Sequence, residues 1–381
     1  MKLEGWNGIK AISELFSLKG RIRKMDVWMP YGEVEVPIEV EKGDMVDLLE
    51  PRLPEGRRWI EEFKEAIESG ATLGLDPVLL GLGGENLVER LSEAVGEKVS
   101  EDRLKILLAS NLYPMPLNVN KYVKAFNSKI EPWQNATPDI ILAALLPHPL
   151  FGFCGAPHVA ALGGFEFPSL LDSLDSDLLA QGVRAESFGD NPVTASILEN
   201  LNLDSEPYVL HLVPYKGDLI PLSKGNIIGA FEEGIKRYME SFKIEGERPL
   251  LVVSVGGSPL DATVLNMIHT LKATWKIVAE RGELILLSEC GNVLVDPHLL
   301  RNLIGLASRH TRKPLIESLR REVSKVVDKI SVRLVSTLPN SYVRKLGFKP
   351  ADTATAAFQL ARRRIREAKA SFIQWGYHAV A

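Results

Sequence analysis

The chain has 381 residues, with 45 Lys and Arg against 49 Asp and Glu, a formal net charge of −4, 45% hydrophobic and 25% charged residues. That length exceeds one ordinary core and predicts two or three domains of roughly 100 to 200 residues each, and the lack of a basic excess excludes nucleic acid as a bulk-charge partner. Two cysteines without a CxxC pair give a disulfide framework no support, no signal peptide is read, and the most apolar run, 140–155, is too short and proline-broken to span a bilayer, so a cytoplasmic protein with no membrane partner is expected.

Within residues 1–24 the spacing of Ile9, Ile12 and Phe16 predicts a short amphipathic helix with a basic end. Asp26 to Val40 alternates apolar and polar residues about Tyr31-Gly32, which predicts a β-hairpin, and 48–53 reads as a connection. Helices are predicted over 57–69 and within 79–95, the second preceded by a loop at Gly81, Gly83 and Gly84. Those glycines follow no strand and lack GxGxxG spacing, so they are no dinucleotide fingerprint. Strands follow at 103–110 and 140–146. The second runs into PHPLFGFCGAPH and places His148 just past a strand's carboxyl end, where open α/β sheets bind ligands. A turn histidine with a structural role is the plain alternative.

Two helical patterns over 169–201 flank Gly182 and a GDNPV turn at 189–193. Strands at 208–213 and 218–221 and a helix at 228–242 come next. From Leu250 to Leu271 the pattern gives a buried strand (250–254), a Gly256-Gly257 turn, and a helix opening with Ser258 as N-cap, Pro259 at its first position and Asp261 three residues after the cap. The glycine amides and the helix start would also suit a small anion, while a well-capped connection is the bland reading. A strand at 283–290, helices at 315–329, 340–346 and 353–368, and strands at 331–335 and 371–375 complete the chain. Strand and helix alternate throughout this half, which predicts an α/β architecture with mainly parallel sheets covered on both faces.

Of seven histidines, His148 and His158 flank the tight FGFCGAP turn, and His269 falls two helical turns beyond Asp261, which puts the two on one face of the expected helix. Histidine pairs can move a proton on and off a carbon from opposite sides or bind a metal, but neither HxxxH nor HxH occurs, so no metal site is assigned. Cys154 reads as a small turn residue, Cys290 as core, and Arg362 to Arg366 (RRRIR) as a solvated helix face.

Four stretches, taken in order, carry more. They are MPYGEVEVPIEV with LLEPR; PDIILAALLPHPLFGFCGAPHVAALGG with GDNPV; GGSPLD with ELILLSEC; and VSTLPNSYVRKLGFKPADTATAAFQLA. Together they resemble the nickel-dependent lactate racemase family. The resemblance implies an N-terminal β-hairpin and two α/β domains, 1–243 and 244–381 with segments exchanged between them, around an interdomain cleft. It implies a racemase or epimerase of small 2-hydroxy acids, with His148 as one acid/base, His158 or His269 opposite it, and Asp261 retained. Gly256, Gly257, Ser258, Asn191 and Asn266 would hold the substrate carboxylate.

The departures from the family pattern bear on chemistry. His158 stands where the family has the lysine that links its nickel-pincer nucleotide, and an imidazole cannot form that link, so the cofactor is not expected. The family's nickel-binding histidine has no counterpart between Leu162 and Arg184, and SNLYPMP (110–116) lacks the family arginine. Leu265, Asn266 and His269 replace a tyrosine, a glutamine and a lysine. The alternative is therefore a non-catalytic relative that binds a small carboxylic acid or a protein partner; ligand and oligomeric state are not set by the sequence.

Overall fold

In a computed structural model the described residues are 24–41, 46–53, 59–67, 72–98, 105–119, 122, 130–133, 137–292, 297–306, 312–365 and 369–380. The helix expected within 1–24 lies outside them, apart from Lys24. Lys24–Tyr31 (β1) and Val34–Glu41 (β2) form the expected hairpin, with Trp28 opposite Pro37. Val46–Leu48 (β3) follows. The first six-stranded sheet contains Thr72–Leu75 (β4), Lys105–Leu108 (β5), Ile130–Pro132 (β6) and Ile140–Ala144 (β7), and the hairpin Tyr208–Tyr215 (β10) with Asp218–Gly225 (β11). Its order is β11-β10-β7-β4-β5-β6, parallel except for the β10–β11 pair. Between them, Leu146–His148 (β8) and Gly152–Cys154 (β9) make a separate small hairpin.

The second sheet is parallel throughout. It is built from Arg248–Ser254 (β12), Val278–Leu287 (β13), Ser331–Val335 (β14), Lys349–Ala351 (β15) and Ala370–Ile373 (β16), in the order β15-β14-β13-β12-β16-β3. Residues of β7 and the inner part of β12 are buried on both faces, which is why these strands read as continuous apolar runs instead of alternations. β3 crosses from the start of the chain to the edge of the second sheet. The first hairpin packs on a face of this sheet at its two central strands, burying Met29, Ile38 and Val40 on Leu250 and Val252 of β12 and Ile285 and Leu287 of β13.

Three local expectations are corrected. Pro77–Lys98 (α1) starts ahead of the GLGG run, where the Asp76 Oδ1 caps it by accepting the Val78 amide at 2.9 Å, and takes in Gly81 and Gly83, so that the expected glycine break before the second helical stretch falls at Gly84 alone (φ +56°). Gly182 lies inside Ser176–Arg184 (α3), which comes after Ala156–Leu162 (α2). The helix after the double glycine starts at Val264, not at Pro259, so Asp261 is not on it. Pro192–Glu199 (α4), Ile227–Phe242 (α5), that later helix Val264–Thr274 (α6), Lys313–Val327 (α7) and Ala354–Arg364 (α8) complete the main layers. One hydrophobic cluster runs through both sheets, joining Leu142 and Val209 to Val253 and Leu284. Among the described residues no helix is long and apolar enough to cross a membrane.

Candidate functional site

The carboxyl-end loops of the two sheets meet. Thr263 caps α6, its Oγ1 accepting the Asn266 amide at 3.3 Å, and the same hydroxyl donates to Pro114 O at 2.8 Å across the junction. The Tyr377 hydroxyl donates to Pro147 O at 2.9 Å, so the turn carrying His148 is tied to the C-terminal segment. The Lys272 Nζ donates to Val183 O and Ala185 O, each at 2.6 Å.

His148 is fully buried at the end of β8. Its Nδ1 accepts the amides of Leu150 and Phe151, both at 3.2 Å, so the proton sits on Nε2, which donates to Leu112 O at 3.1 Å. His158 is equally buried: Nδ1 accepts the Gly155 amide at 3.4 Å, Nε2 donates to Thr194 Oγ1 at 2.9 Å, and that hydroxyl donates to Phe151 O at 2.7 Å. The Phe151 ring stacks between the two imidazoles, with centroids at 4.1 Å from His148 and 5.3 Å from His158. His211 adds a third member through Phe231, with Nε2 accepting the Ala156 amide at 3.0 Å and Nδ1 donating to Ser223 Oγ at 3.1 Å.

His269, on α6, differs. It lies between the rings of Phe188 (5.2 Å) and Tyr377 (5.0 Å), is 2% exposed, and neither ring nitrogen makes a hydrogen bond among the described residues. The Tyr377 backbone lies near enough to favour its protonated form weakly, without hydrogen-bond geometry. His378 pairs Nδ1 with the Tyr238 hydroxyl at 3.0 Å, and its Nε2 has no partner among the described residues. Burial lowers all five of these imidazoles to a pKa of about 3. His269 and His148 also face each other closely enough that a charge on the first would lower the second further. Beside them burial lowers Lys272 to about 8.

Asp261 belongs to a different cluster. Its Oδ2 accepts the amides of Gly32 at 2.7 Å and Glu289 at 3.3 Å, while Oδ1 has no partner among the described residues. The tip of the first hairpin fills the predicted anion cradle: the Ser258 amide donates to Gly32 O at 2.6 Å, the Gly256 amide to Ser254 Oγ at 3.1 Å, and Ser254 Oγ to Pro30 O. A Cβ on Gly257 would lie 3.0 Å from Gly32 O, so no room for an anion remains against that turn. Asn266 donates from Nδ2 to Leu260 O at 2.9 Å. Asn191 caps α4, Oδ1 accepting the Val193 amide at 2.9 Å and Nδ2 donating to Gly182 O at 3.1 Å. Thus His148, His158 and His269 share the junction, whereas Asp261, Gly256, Gly257 and Ser258 form the seat of the hairpin, and Asn191 supports the His158 side.

Residues the sequence reading did not single out are Lys272, Tyr377, Phe188 and Asp76. Burial pushes the Asp76 carboxyl up to about 6 against two amide donors, Val78 and Ala144. Its signal was legible as an Asp-Pro step ahead of an apolar helix; Lys272 was marked only as a lone cation in the last turn of an apolar one.

Gly152 fixes the turn between the stacked histidines. It has φ +76°, and a Cβ there would lie 2.1 Å from Phe188 O. Gly152→Ala is therefore expected to cost about 2 kcal/mol, read as a lower urea midpoint at unchanged m.

No family model and no curated protein sequence matches the chain. Its fold is similar to that of the lactate racemase apoprotein from Thermoanaerobacterium thermosaccharolyticum, with a TM-score of 0.64 and 15% identity over 93% of this chain and 99% of that one. A Thermotoga maritima protein solved by the Northeast Structural Genomics Consortium matches with a TM-score of 0.55 and 11% identity, over 86% of this chain and 98% of that one. The architecture expected from the sequence, α/β with mainly parallel sheets and an N-terminal hairpin, is thus a lactate racemase-like fold.

Proposed function

We propose that this chain is a non-catalytic lactate racemase-like protein: it keeps the two-sheet scaffold and acts by binding, without acid/base chemistry at the junction. In this reading it divides at 243/244, with 24–48 contributed to the second unit. The observation that carries the proposal is the saturation of His148. Both its nitrogens are engaged by the backbone in a buried turn, so neither can reach a substrate carbon while the turn holds. His158 is engaged by the Gly155 amide and the Thr194 hydroxyl, and of the amides offered for a carboxylate that of Ser258 is taken by the hairpin and that of Gly256 by Ser254 Oγ.

The nickel-pincer nucleotide does not fit the residues present. The position of the linking lysine carries His158, whose ring is fixed on Gly155 and Thr194, and among the described residues no three His, Cys, Asp or Glu side chains gather as metal ligands. No step is derived through that group.

A second reading, a 2-hydroxy acid racemase or epimerase working in an opened cleft, is favoured by one observation. His269 has two unpartnered nitrogens beside Lys272 and opposite His148, as a ligand-contacting imidazole would. The two readings separate by chiral chromatography after incubation with L-lactate and L-malate, using protein from a host that makes the nickel-pincer cofactor. No D-enantiomer above the buffer control is expected. Interconversion that disappears in His269→Ala while the fold persists would establish the racemase reading instead.

A further inference from the structure

At the opposite end of the second sheet's strands from the hairpin seat, a surface depression of about 340 Å³ lies over the starts of β13, β14 and β15. Four cations surround it, each from a different place in the fold: Arg281 early in β13, Lys329 after α7, Lys349 at the start of β15, and Arg364 at the end of α8. Val327 and Val332 line it as well, and Asp328 is the carboxylate among the lining residues. In a chain with a net charge of −4, this clustering is not a consequence of bulk composition.

The cations are held in place unequally. Glu283, fully buried in β13, is already met by Arg333, whose Nε and Nη2 lie 3.0 and 2.9 Å from Oε1. Arg364 adds a second cation to the same carboxylate, Nη1 to Oε2 at 3.3 Å, while its Nη2 donates to Arg281 O at 3.3 Å. One carboxylate therefore carries two guanidiniums and leaves a net positive charge. Lys349 donates to the neutral Ser331 Oγ at 2.8 Å, which leaves its charge unneutralised. Among the described residues Arg281 and Lys329 have no ion-pair partner. Like charges drawn together in this way repel one another, a cost that an anion between them would reverse.

We propose that this depression is a binding site for a small phosphorylated molecule. A phosphoryl group is a pyramidal dianion at neutral pH with acceptors on several sides, and it suits cations converging from a strand, a turn, a second strand and a helix end. A carboxylate is satisfied by a single planar fork. The volume is that of a small-molecule site, and half-buried Val327 at its rim adds an apolar contact. This site stands apart from the histidine junction and does not rest on the reading given for it.

Titration calorimetry with pyrophosphate, at constant ionic strength and with malonate as the comparator, tests the assignment. Pyrophosphate is expected to bind with a submillimolar Kd, and malonate about tenfold more weakly or worse. The double variant Arg281→Ser/Lys329→Ser removes two exposed, unpartnered side chains. It should keep the melting temperature and lose pyrophosphate affinity by about tenfold or more. Should the double variant unfold, Lys329→Ser alone serves, with a severalfold loss expected. No heat of binding up to about 10 mM pyrophosphate, equal binding of malonate, or unchanged affinity in a folded variant would each overturn the proposal.

Discussion

Lowering the pH from 7.5 is expected to unfold the protein cooperatively near pH 5, with uptake of about four to five protons. His148, His158, His211, His269 and His378 are held neutral by burial, with pKa values of about 3 against 6.5 for an unburied imidazole. A depressed folded pKa means that the unfolded chain binds the protons. The stability these groups contribute is complete above pH 6.5 and is lost as pH falls from there toward 3. Each costs up to about 1.4 kcal/mol per pH unit, so five together remove about 10 kcal/mol by pH 5.

Asp76 works in the other direction. Its pKa is raised to about 6, so its contribution grows as pH falls through 6 and returns a little over 1 kcal/mol in this window. Lys272, lowered to about 8, has completed its effect above the window. The net loss, about 9 kcal/mol at pH 5, is comparable to the whole stability of an ordinary domain. Circular dichroism and proton uptake between pH 7.5 and 3 check this. His269→Phe should move the midpoint to lower pH, because its ring makes no hydrogen bond to lose and one proton leaves the balance. Native structure persisting at pH 3.5, or uptake of fewer than about two protons, would show that the imidazoles are not sealed as described.

The scaffold was legible where physics is local. Alternation gave the first hairpin, continuous apolar runs gave β7 and β12, and the helices expected at 228–242 and 353–368 begin at the caps Asn226 and Thr353, whose side chains accept the Gly229 and Ala356 amides. Short strands escaped: β3 is three residues long and is defined only by its pairing to β16, and β4 carries a glycine against Trp133. At the site, sequence placed His148 at the end of a strand but could not show which atoms its ring would meet. Its partners are amides two and three residues ahead and a carbonyl 36 residues behind. The first two are a local turn motif, and the third depends on the tertiary fold. The double glycine shows the same limit. Gly256 (φ +134°) and Gly257 (φ +73°) were read correctly as a tight turn, but what approaches the turn is the tip of a hairpin more than 200 residues earlier in the chain, which no local pattern encodes.

That seat gives the clearest separation between a carboxylate used for chemistry and one used for architecture. Asp261→Ala is expected to lower stability by about 3 kcal/mol at pH 7, because the Gly32 and Glu289 amides both lose a charged acceptor where the hairpin meets the second sheet. Asp261→Asn should be neutral or stabilising by up to about 1 kcal/mol. Both amides converge on Oδ2, so an amide oxygen placed there keeps both bonds, and the new NH2 group takes the position of Oδ1, which has no partner to lose. The substitution also removes a charge whose burial raises the Asp261 pKa. For a raised carboxyl the stability contribution is full at low pH and lost as pH rises through the folded value, so the ionised form bears a cost that the amide does not. Urea unfolding at pH 7, together with proteolysis of the 24–41 hairpin, reads both variants. Alanine should expose the hairpin to cleavage and asparagine should protect it as the native carboxylate does. If asparagine were as damaging as alanine, the negative charge itself would be required at this position, and Asp261 would return as a candidate for ligand chemistry.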